Sequence, residues 1–406
     1  MNIIKSTEKY IDGAGRAVFN LSEELLMSEI GGYTGYGISV VLYDNSGTLT
    51  DSASAADITV SNTDVEVIDA TGLNIYPGFV DAHNHLGISD EKLGIAGNDN
   101  NETTNPITPG LRAIDAINPM DSDFHCALSV GVTTVMTGPG SANPIGGQFA
   151  CIKTDGRRVD DMIIKAPAAM KIAFGENPKN NYGNNGETPI TRMAIAAMIR
   201  EELQNALDYY KSKQNSTQNF KKDLHYEPYM PLFSHDMPLK AHAHRLDDIL
   251  TAIRIAKEFG LQITLDHCTE GHLDAEHIAD SGFPAIIGPT LSSRTKFELK
   301  NSDFKTPGIL SKAGVRVAIT TDHPVTRIQY LPLCAGLAAK EGLGRENALR
   351  AITIDAAIIS GVSDRVGSIE VGKDADLVIY DGDPLEIAGN AMCTIVSGKV
   401  AVNSIC

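Results

Sequence analysis

Six short apolar runs recur along the middle of the chain: "GVTTVMTG", "APAAMKIAFG", "PLKAHAH", "LQITLDH", "FPAIIGP" and "VRVAITTDH". Each is bounded by Gly, Pro or polar residues and is apolar almost throughout, the pattern of a parallel strand covered on both faces. Segments between them, such as "TRMAIAAMIREELQNALDYY" and "RLDDILTAIRIAKEFG", carry apolar residues at helical spacing, and the second stops at Gly260, suited to the turn that ends a helix. Strand, helix, strand, repeated, restricts the fold to α/β, either a closed barrel or a doubly wound open sheet. The choice between them falls to where the chemistry-bearing residues lie.

They lie at strand ends. In "IYPGFVDAHNHLG", residues 75 to 87, His83 and His85 are two positions apart and share a strand face with Asp81. Such a pair alone is equally compatible with structural histidines. However, "KAHAH" ends in His242 and His244, "TLDH" in His267, and "ITTDH" in Asp322 and His323. Imidazole and carboxylate are the ligands that borderline divalent metals take, and a catalytic site keeps one position open for water. Four strand ends that each offer such a group resist an explanation by packing, because buried His and Asp need partners. The pattern predicts a (β/α) barrel with a metal site at the C-terminal ends of its strands.

Both termini read differently. Residues 1 to 74 are rich in Gly, Ser, Thr and Asp, with strand-like pieces "ISVVLYD", "ADITV" and "VEVIDATG", and "DADLVIYDG" and "CTIVSGKVAV" look the same from 374 onward. This predicts a small β domain assembled from both ends of the chain, with boundaries at 1–75, 76–362 for the barrel, and 363–406. The polar stretch 211–230 reads as a surface excursion after a helix. The loop "TGPGSANPIGGQ", 137–148, brings glycines together with Ser141, Asn143 and Gln148, and is either a tight structural turn or a substrate loop. No Lys-Ser or Lys-Thr follows its glycines, so it is not a phosphate loop. Asn143, Gln148, His244 and His272 are the candidates for substrate contact, with supporting or structural roles open for His244, His272 and His323.

Composition narrows the partners. The 406 residues hold 34 Lys and Arg against 51 Asp and Glu, a net charge of −17. Such a surface repels phosphate backbones and anionic lipid, which argues against nucleic acid and membrane partners but says little more about the substrate, because a site can oppose the global field. Six scattered cysteines without a C-x-x-C pair read as buried thiols in a reducing compartment. Cys268, beside His267, is the one with a second reading as a metal neighbour. "MNIIKSTEKY" lacks the basic start and apolar core of a secretory signal, so the expected location is cytoplasmic.

Taken together, "PGFVDAHNHLG", the later strand ends bearing His242, His267 and Asp322, and the closing "GSIEVGKDADLVIYDGDP" resemble the amidohydrolase superfamily of metal-dependent hydrolases. The resemblance covers roughly residues 66 to 402 and is similar to the imidazolonepropionase-like and prolidase-like branch. It implies a distorted (β/α)8 barrel, a flanking β-sandwich built from both termini, a homo-oligomer, and one or two divalent ions, zinc first with Mn or Fe also suited to these ligands. Carried across, His83 and His85 bind the more buried ion, His242 and His267 the more exposed one, and Asp322 binds metal and handles the proton. His242 is taken over His244 because the family's strand-five ligand is similar to the first His of such an "HAH" stretch.

Lys171 in "AAMKIAFGENPK" resembles the lysine that carries a bridging carbamate in two-metal relatives. Two alternatives stand beside it: Lys171 snorkels or pairs with Glu176, or Glu176 itself bridges. Residues 1–60 depart from the family's short opening hairpin. The implied activity is hydrolysis of a C–N bond in a small substrate by metal-activated water, with Asp322 as general base and acid. The substrate would be a cyclic amide such as an imidazolone, a dipeptide or an N-acyl amino acid. The competing readings are a mononuclear deaminase, disfavoured by Arg245 where such relatives place a glutamate, and a non-enzymatic barrel scaffold, disfavoured because no expected ligand is missing.

Overall fold

The computed structural model describes residues 2–5, 39–43, 49–54, 66–70, 72–90, 94–216 and 220–405. Eight strands form one sheet: β1 (Phe79–Asn84), β2 (Val132–Thr137), β3 (Ile145–Lys153), β4 (Ile163–Ala173), β5 (Leu239–Ala243), β6 (Ile263–His267), β7 (Ala285–Ile287) and β8 (Val317–Ile319). Each neighbours the next in sequence, and β8 returns to β1, so the sheet curls into a nearly closed barrel. The α/β barrel expected from the sequence is present.

One strand departs from the parallel scheme. β3 runs antiparallel to both β2 and β4, while the other pairs are parallel. The cause is connection length: only residues 138–144 separate β2 from β3, whereas a parallel return needs a crossover of about a dozen residues or more. The segment 145–148, read from sequence as part of a loop, therefore belongs to a strand.

Helices cover the outside. The helix Arg192–Asn215 starts where the Thr191 hydroxyl accepts the Ala194 N–H at 3.0 Å, and it runs further into the polar stretch than the sequence pattern indicated. The helix Leu246–Phe259 buries Ile249, Ala252, Ile253, Ile255 and Ala256 against the sheet and ends at Gly260, whose φ of 65° is the left-handed turn expected there. Among the described residues no helix is long and apolar enough to cross a membrane.

The seam between β1 and β8 is closed by a side chain. Asp81 accepts from the hydroxyls of Thr320 and Thr321, both at 2.6 Å, and from the Thr321 N–H at 3.2 Å, while the His85 N–H donates to the His323 carbonyl at 2.9 Å. Burial pushes the Asp81 carboxyl up, and these hydrogen bonds pull it back.

A four-stranded antiparallel sheet flanks the barrel, in the order Lys399–Asn403, Ala391–Val396, Leu377–Tyr380, Asn74–Pro77. One strand thus comes from the N-terminal side and three from the C-terminal end. Asn2–Lys5 pairs with Glu66–Asp69, and Ser39–Tyr43 pairs with Leu49–Ser54. The rest of the expected N-terminal half of the sandwich, and most of the departure over residues 1–60, lies outside the described residues.

Barrel and C-terminal segment are joined by a buried charge cluster. Lys153, the last residue of β3, reaches Asp376 at 2.5 Å and Asp374 at 2.9 Å, and Asp376 also accepts the Ser397 N–H. Removing one partner of a buried pair leaves uncompensated charge. Lys153→Met is expected to lower stability by about 3–5 kcal/mol in urea unfolding; a change under about 0.5 kcal/mol, the usual size for an inert surface site, would show that the cluster does not tie the two parts.

Candidate metal centre

Strand register brings the polar side chains together. Lys171 on β4 lies beside Lys240 on β5 and that beside Thr264 on β6, while His242 lies beside Asp266. Alternation puts these residues on one face, the barrel interior. His267 directly follows Asp266 and would face away in a regular strand; its φ of 69° turns it back toward the same interior. Asp322, at φ 51°, is placed by the same device. Non-glycine residues in this region cost about 1–3 kcal/mol and cluster at functional sites.

Two groups result. His83, His85 and Asp322 form one, and His242, His244 and His267 the other, with ligand atoms in each group within 4.8 Å of one another. Asp322 Oδ1 is 3.3 Å from His85 Nε2 and 3.5 Å from His83 Nε2. The far side of most rings is engaged: His83 Nδ1 donates to Asp266 at 2.6 Å, His85 Nδ1 to the Gly138 carbonyl at 2.6 Å and His267 Nδ1 to the Gly288 carbonyl at 2.7 Å. His244 Nδ1 shares a hydrogen bond of 2.8 Å with the Thr269 hydroxyl. This fixes each tautomer or ring so that Nε2 faces the centre, as metal-ligating imidazoles require. His267 Nε2 is buried there without a hydrogen-bond partner. An orphaned buried acceptor is costly, and a divalent ion is the group that would satisfy it. The donor set therefore fits a metal.

Electrostatics set the protonation states that ligation needs. Burial holds His242 and His244 well below the usual imidazole value and brings His267 to about 3, so all are neutral near pH 7. Burial alone would raise Asp322, but His267, with His83 and His85, keeps it well below the carboxylate range and ionised. Burial would likewise raise Asp266; the Lys240 ammonium at 3.1 Å and His83 reverse that. Lys240 is itself fully buried and donates to the Ala82 carbonyl at 2.8 Å.

Lys171, also fully buried, has its Nζ 3.3 Å from His83 Nε2, and burial lowers its pKa to about 8. Among the described residues no carboxylate lies within 4 Å of it. Glu176 is turned away: its Oε2 accepts the Glu298 N–H at 3.4 Å and its Oε1 the Asn180 amide at 3.5 Å, so the Lys171–Glu176 pair does not form.

Several residues singled out from sequence are not brought to either group. Gln148 pairs across the sheet with Met170, whereas Gly147 pairs with Lys171, so Gln148 faces the outer side of the barrel. Asn143 is committed to bracing its loop, donating to the Glu102 carbonyl at 2.8 Å and accepting the Tyr182 hydroxyl at 2.7 Å. His272 bonds the Thr306 hydroxyl at 2.9 Å. His323 accepts the Ile328 N–H and lies 3.2 Å from Asp123. Cys268 packs in the core outside the barrel, its thiol pushed up to about 12 by burial. Ser141 acts at one remove, accepting from the Asn177 amide, which also lies 3.3 Å from His242 Nε2. In contrast, His244, read as a substrate or supporting residue, stands within the second histidine group.

Sequence reasoning missed Asp266, Lys240, Asn177 and Glu298. The first two carried a signal: Lys240 is two residues before His242 and shares its face, and Asp266 follows Thr264 by the same step. Asn177 and Glu298 carried none, because both arrive on segments outside the strands.

The amidohydrolase family model matches residues 241–402. Amidohydrolase tasK of Hapsidospora irregularis is 28% identical over 365 residues, which cover 82% of this chain and 37% of that protein, so this chain spans well under half of it. Imidazolonepropionase of Rhizobium rhizogenes is 26% identical over 84% of this chain and 86% of its own length. The crystal structure of an amidohydrolase from Thermotoga maritima MSB8 superimposes with a TM-score of 0.84 at 39% identity, covering 90% of this chain and 95% of that one.

The Asp266 carboxylate fixes the His83 tautomer, so Asp266→Asn, nearly isosteric, is expected to weaken metal retention about 10- to 100-fold. Chelator competition monitored by metal analysis would check this; unchanged retention would show that His83 is oriented without Asp266.

Proposed function

Because this chain belongs to the amidohydrolase superfamily, we propose that it hydrolyses a C–N bond in a small substrate, using one or two divalent ions held at the C-terminal end of the barrel. The observation that carries the reading is the pair of facing groups, His83–His85–Asp322 and His242–His244–His267, with the second group's imidazoles neutral and Asp322 ionised. His83, His85 and Asp322 would hold one ion, and His242 and His267, with His244 beside them, the other; contrary to the sequence expectation, the second group is the more deeply buried. Zinc suits these ligands, as do Mn and Fe. A bound divalent ion supplies Lewis acidity toward the substrate carbonyl and makes water acidic enough to attack near neutral pH.

The chain's own residues do the rest. Asp322 takes a proton from the attacking water as oxygen joins the carbonyl carbon, and returns it to the nitrogen as the C–N bond breaks. Its Oδ1 lies 3.3–3.5 Å from the Nε2 atoms of His85 and His83, and it starts the first step ionised. Asp266 and Lys240 hold His83, and the Gly138 and Gly288 carbonyls hold His85 and His267. Lys171, close to His83 and lowered by burial, is suited to react with carbon dioxide as the free amine and to become a bridging carbamate. Relatives named imidazolonepropionase support a cyclic amide as substrate class, with dipeptides and N-acyl amino acids next. The deaminase reading is weakened further, since Arg245 is half-buried and paired with Asp247 at 2.8 Å.

Metal analysis of protein prepared with bicarbonate and without chelator, followed by assay on these three substrate classes, tests the reading. Asp322→Asn should lower turnover by about 10²- to 10⁴-fold with circular dichroism unchanged; ordinary activity would remove Asp322 from its role. Protein equilibrated with ¹³C-bicarbonate should give a carbamate carbon resonance that vanishes in Lys171→Met. Its absence from wild-type protein would leave Lys171 an unmodified amine and favour a single ion.

A further inference from the structure

Between β7 and the helix Thr306–Lys312, the segment 288–305 crosses the histidine groups, and its one-turn helix Phe297–Leu299 delivers Glu298 to them. The Glu298 side chain is 1% exposed. Its Oε2 accepts the Glu176 N–H at 2.9 Å, while its own N–H donates to Glu176 Oε2 at 3.4 Å, a reciprocal pair that pins the segment to the start of the helix Glu176–Gly183. Gly175 lies directly against it, since a Cβ there would stand 2.6 Å from Oε2. One oxygen is therefore fixed.

The other is not satisfied. Glu298 Oε1 is buried without a hydrogen-bond partner and faces His244 Nε2 at 3.8 Å and His242 Nε2 at 4.0 Å. Asn177 also approaches His242 Nε2, at 3.3 Å. His267 Nε2, in the same group, is the second orphaned atom. The carboxylate oxygen and the Nε2 atoms of the three imidazoles converge with no hydrogen bond between them, an arrangement that a cation among them makes favourable. Lys296 Nζ lies 3.9 Å from Oε1, but it is one-third exposed and solvent screens it.

We infer that Glu298 is a carboxylate ligand of the ion held by His242, His244 and His267. The inference rests on the proposal that these histidines bind metal. Bonds of about 2.0–2.2 Å to N and O put neighbouring ligand atoms roughly 3.0–3.4 Å apart, so contraction by about half to one ångström brings Oε1 into place with a further position left for water. Each group then has its own carboxylate, Asp322 in one and Glu298 in the other, to balance the charge of its ion.

The test loads full-length protein with Co²⁺ in the presence of bicarbonate and titrates it against a chelator, for wild type, Glu298→Gln and Lys296→Met. Glutamine keeps an acceptor for the Glu176 N–H, so the segment stays pinned. Glu298→Gln should weaken one ion by about tenfold or more and change the visible cobalt spectrum, while Lys296→Met leaves both ions as in wild type. Glu298→Gln that binds as wild type, or Lys296→Met that weakens an ion equally, overturns the inference. If wild type takes up a single ion, Glu298→Gln must weaken that ion or the inference falls. Wild type that takes up none rejects the metal reading itself, a separate failure. A crystal structure of the zinc-loaded wild type needs no variant: Glu298 oxygen at about 2.0–2.2 Å from the ion supports the assignment, and Glu298 bonded elsewhere overturns it.

Discussion

The buried chain of charge Lys240–Asp266–His83 is the contact on which the site depends. Three groups with no access to water meet inside the barrel, Lys240 and Asp266 from the adjacent strands β5 and β6 and His83 from β1 on the far side, and each is tolerable only because of the next. Asp266 without Lys240 would be a bare buried carboxylate, and Lys240 without Asp266 a bare ammonium. The Ala82 carbonyl accepts from Lys240 and the Thr264 hydroxyl donates to Asp266, which extends the network on the barrel side. Its open end is His83 Nε2, which points to Lys171 and Asp322. Hence the orientation of the first histidine is set by packing deep in the barrel, not by the site's own mouth.

Parallel logic runs along the seam. β8 is only three residues long, too short to close the barrel by backbone pairing alone. Asp81 substitutes a carboxylate that gathers the Thr320 and Thr321 hydroxyls and the Thr321 N–H. That contact also positions the turn carrying Asp322 and His323. Residues that close the barrel and residues that build the site are thus neighbours in sequence, and the strained backbone at His267 and Asp322 is held by the same packed interior.

Segments outside the strands complete the arrangement. The Gly288 carbonyl fixes His267, and Gly288 sits so tightly against Thr320 that a Cβ would meet its carbonyl oxygen at 2.1 Å. The segment that begins there carries Glu298 to the second histidine group and locks onto Glu176. Position rather than composition makes these side chains matter, because each would be unremarked on an exposed loop.

The sequence by itself determined the periodicity and the ligand types. Apolar runs with interspersed helical segments restrict the fold to a barrel or a doubly wound sheet because both faces of each strand must be covered, and His or Asp at four strand ends selects the barrel, whose strands end on one rim. Tertiary structure decided what spacing does not encode. The direction of β3 depends on how far residues 138–144 can reach. The inward turn of His267 depends on a φ of 69° that its neighbours enforce, and the outward face of Gln148 depends on pairing with Met170. His244 joined the histidine group, and Glu298 arrived from a distant segment, because contacts across the barrel rim are set by three-dimensional packing. No local pattern of residues carries that information.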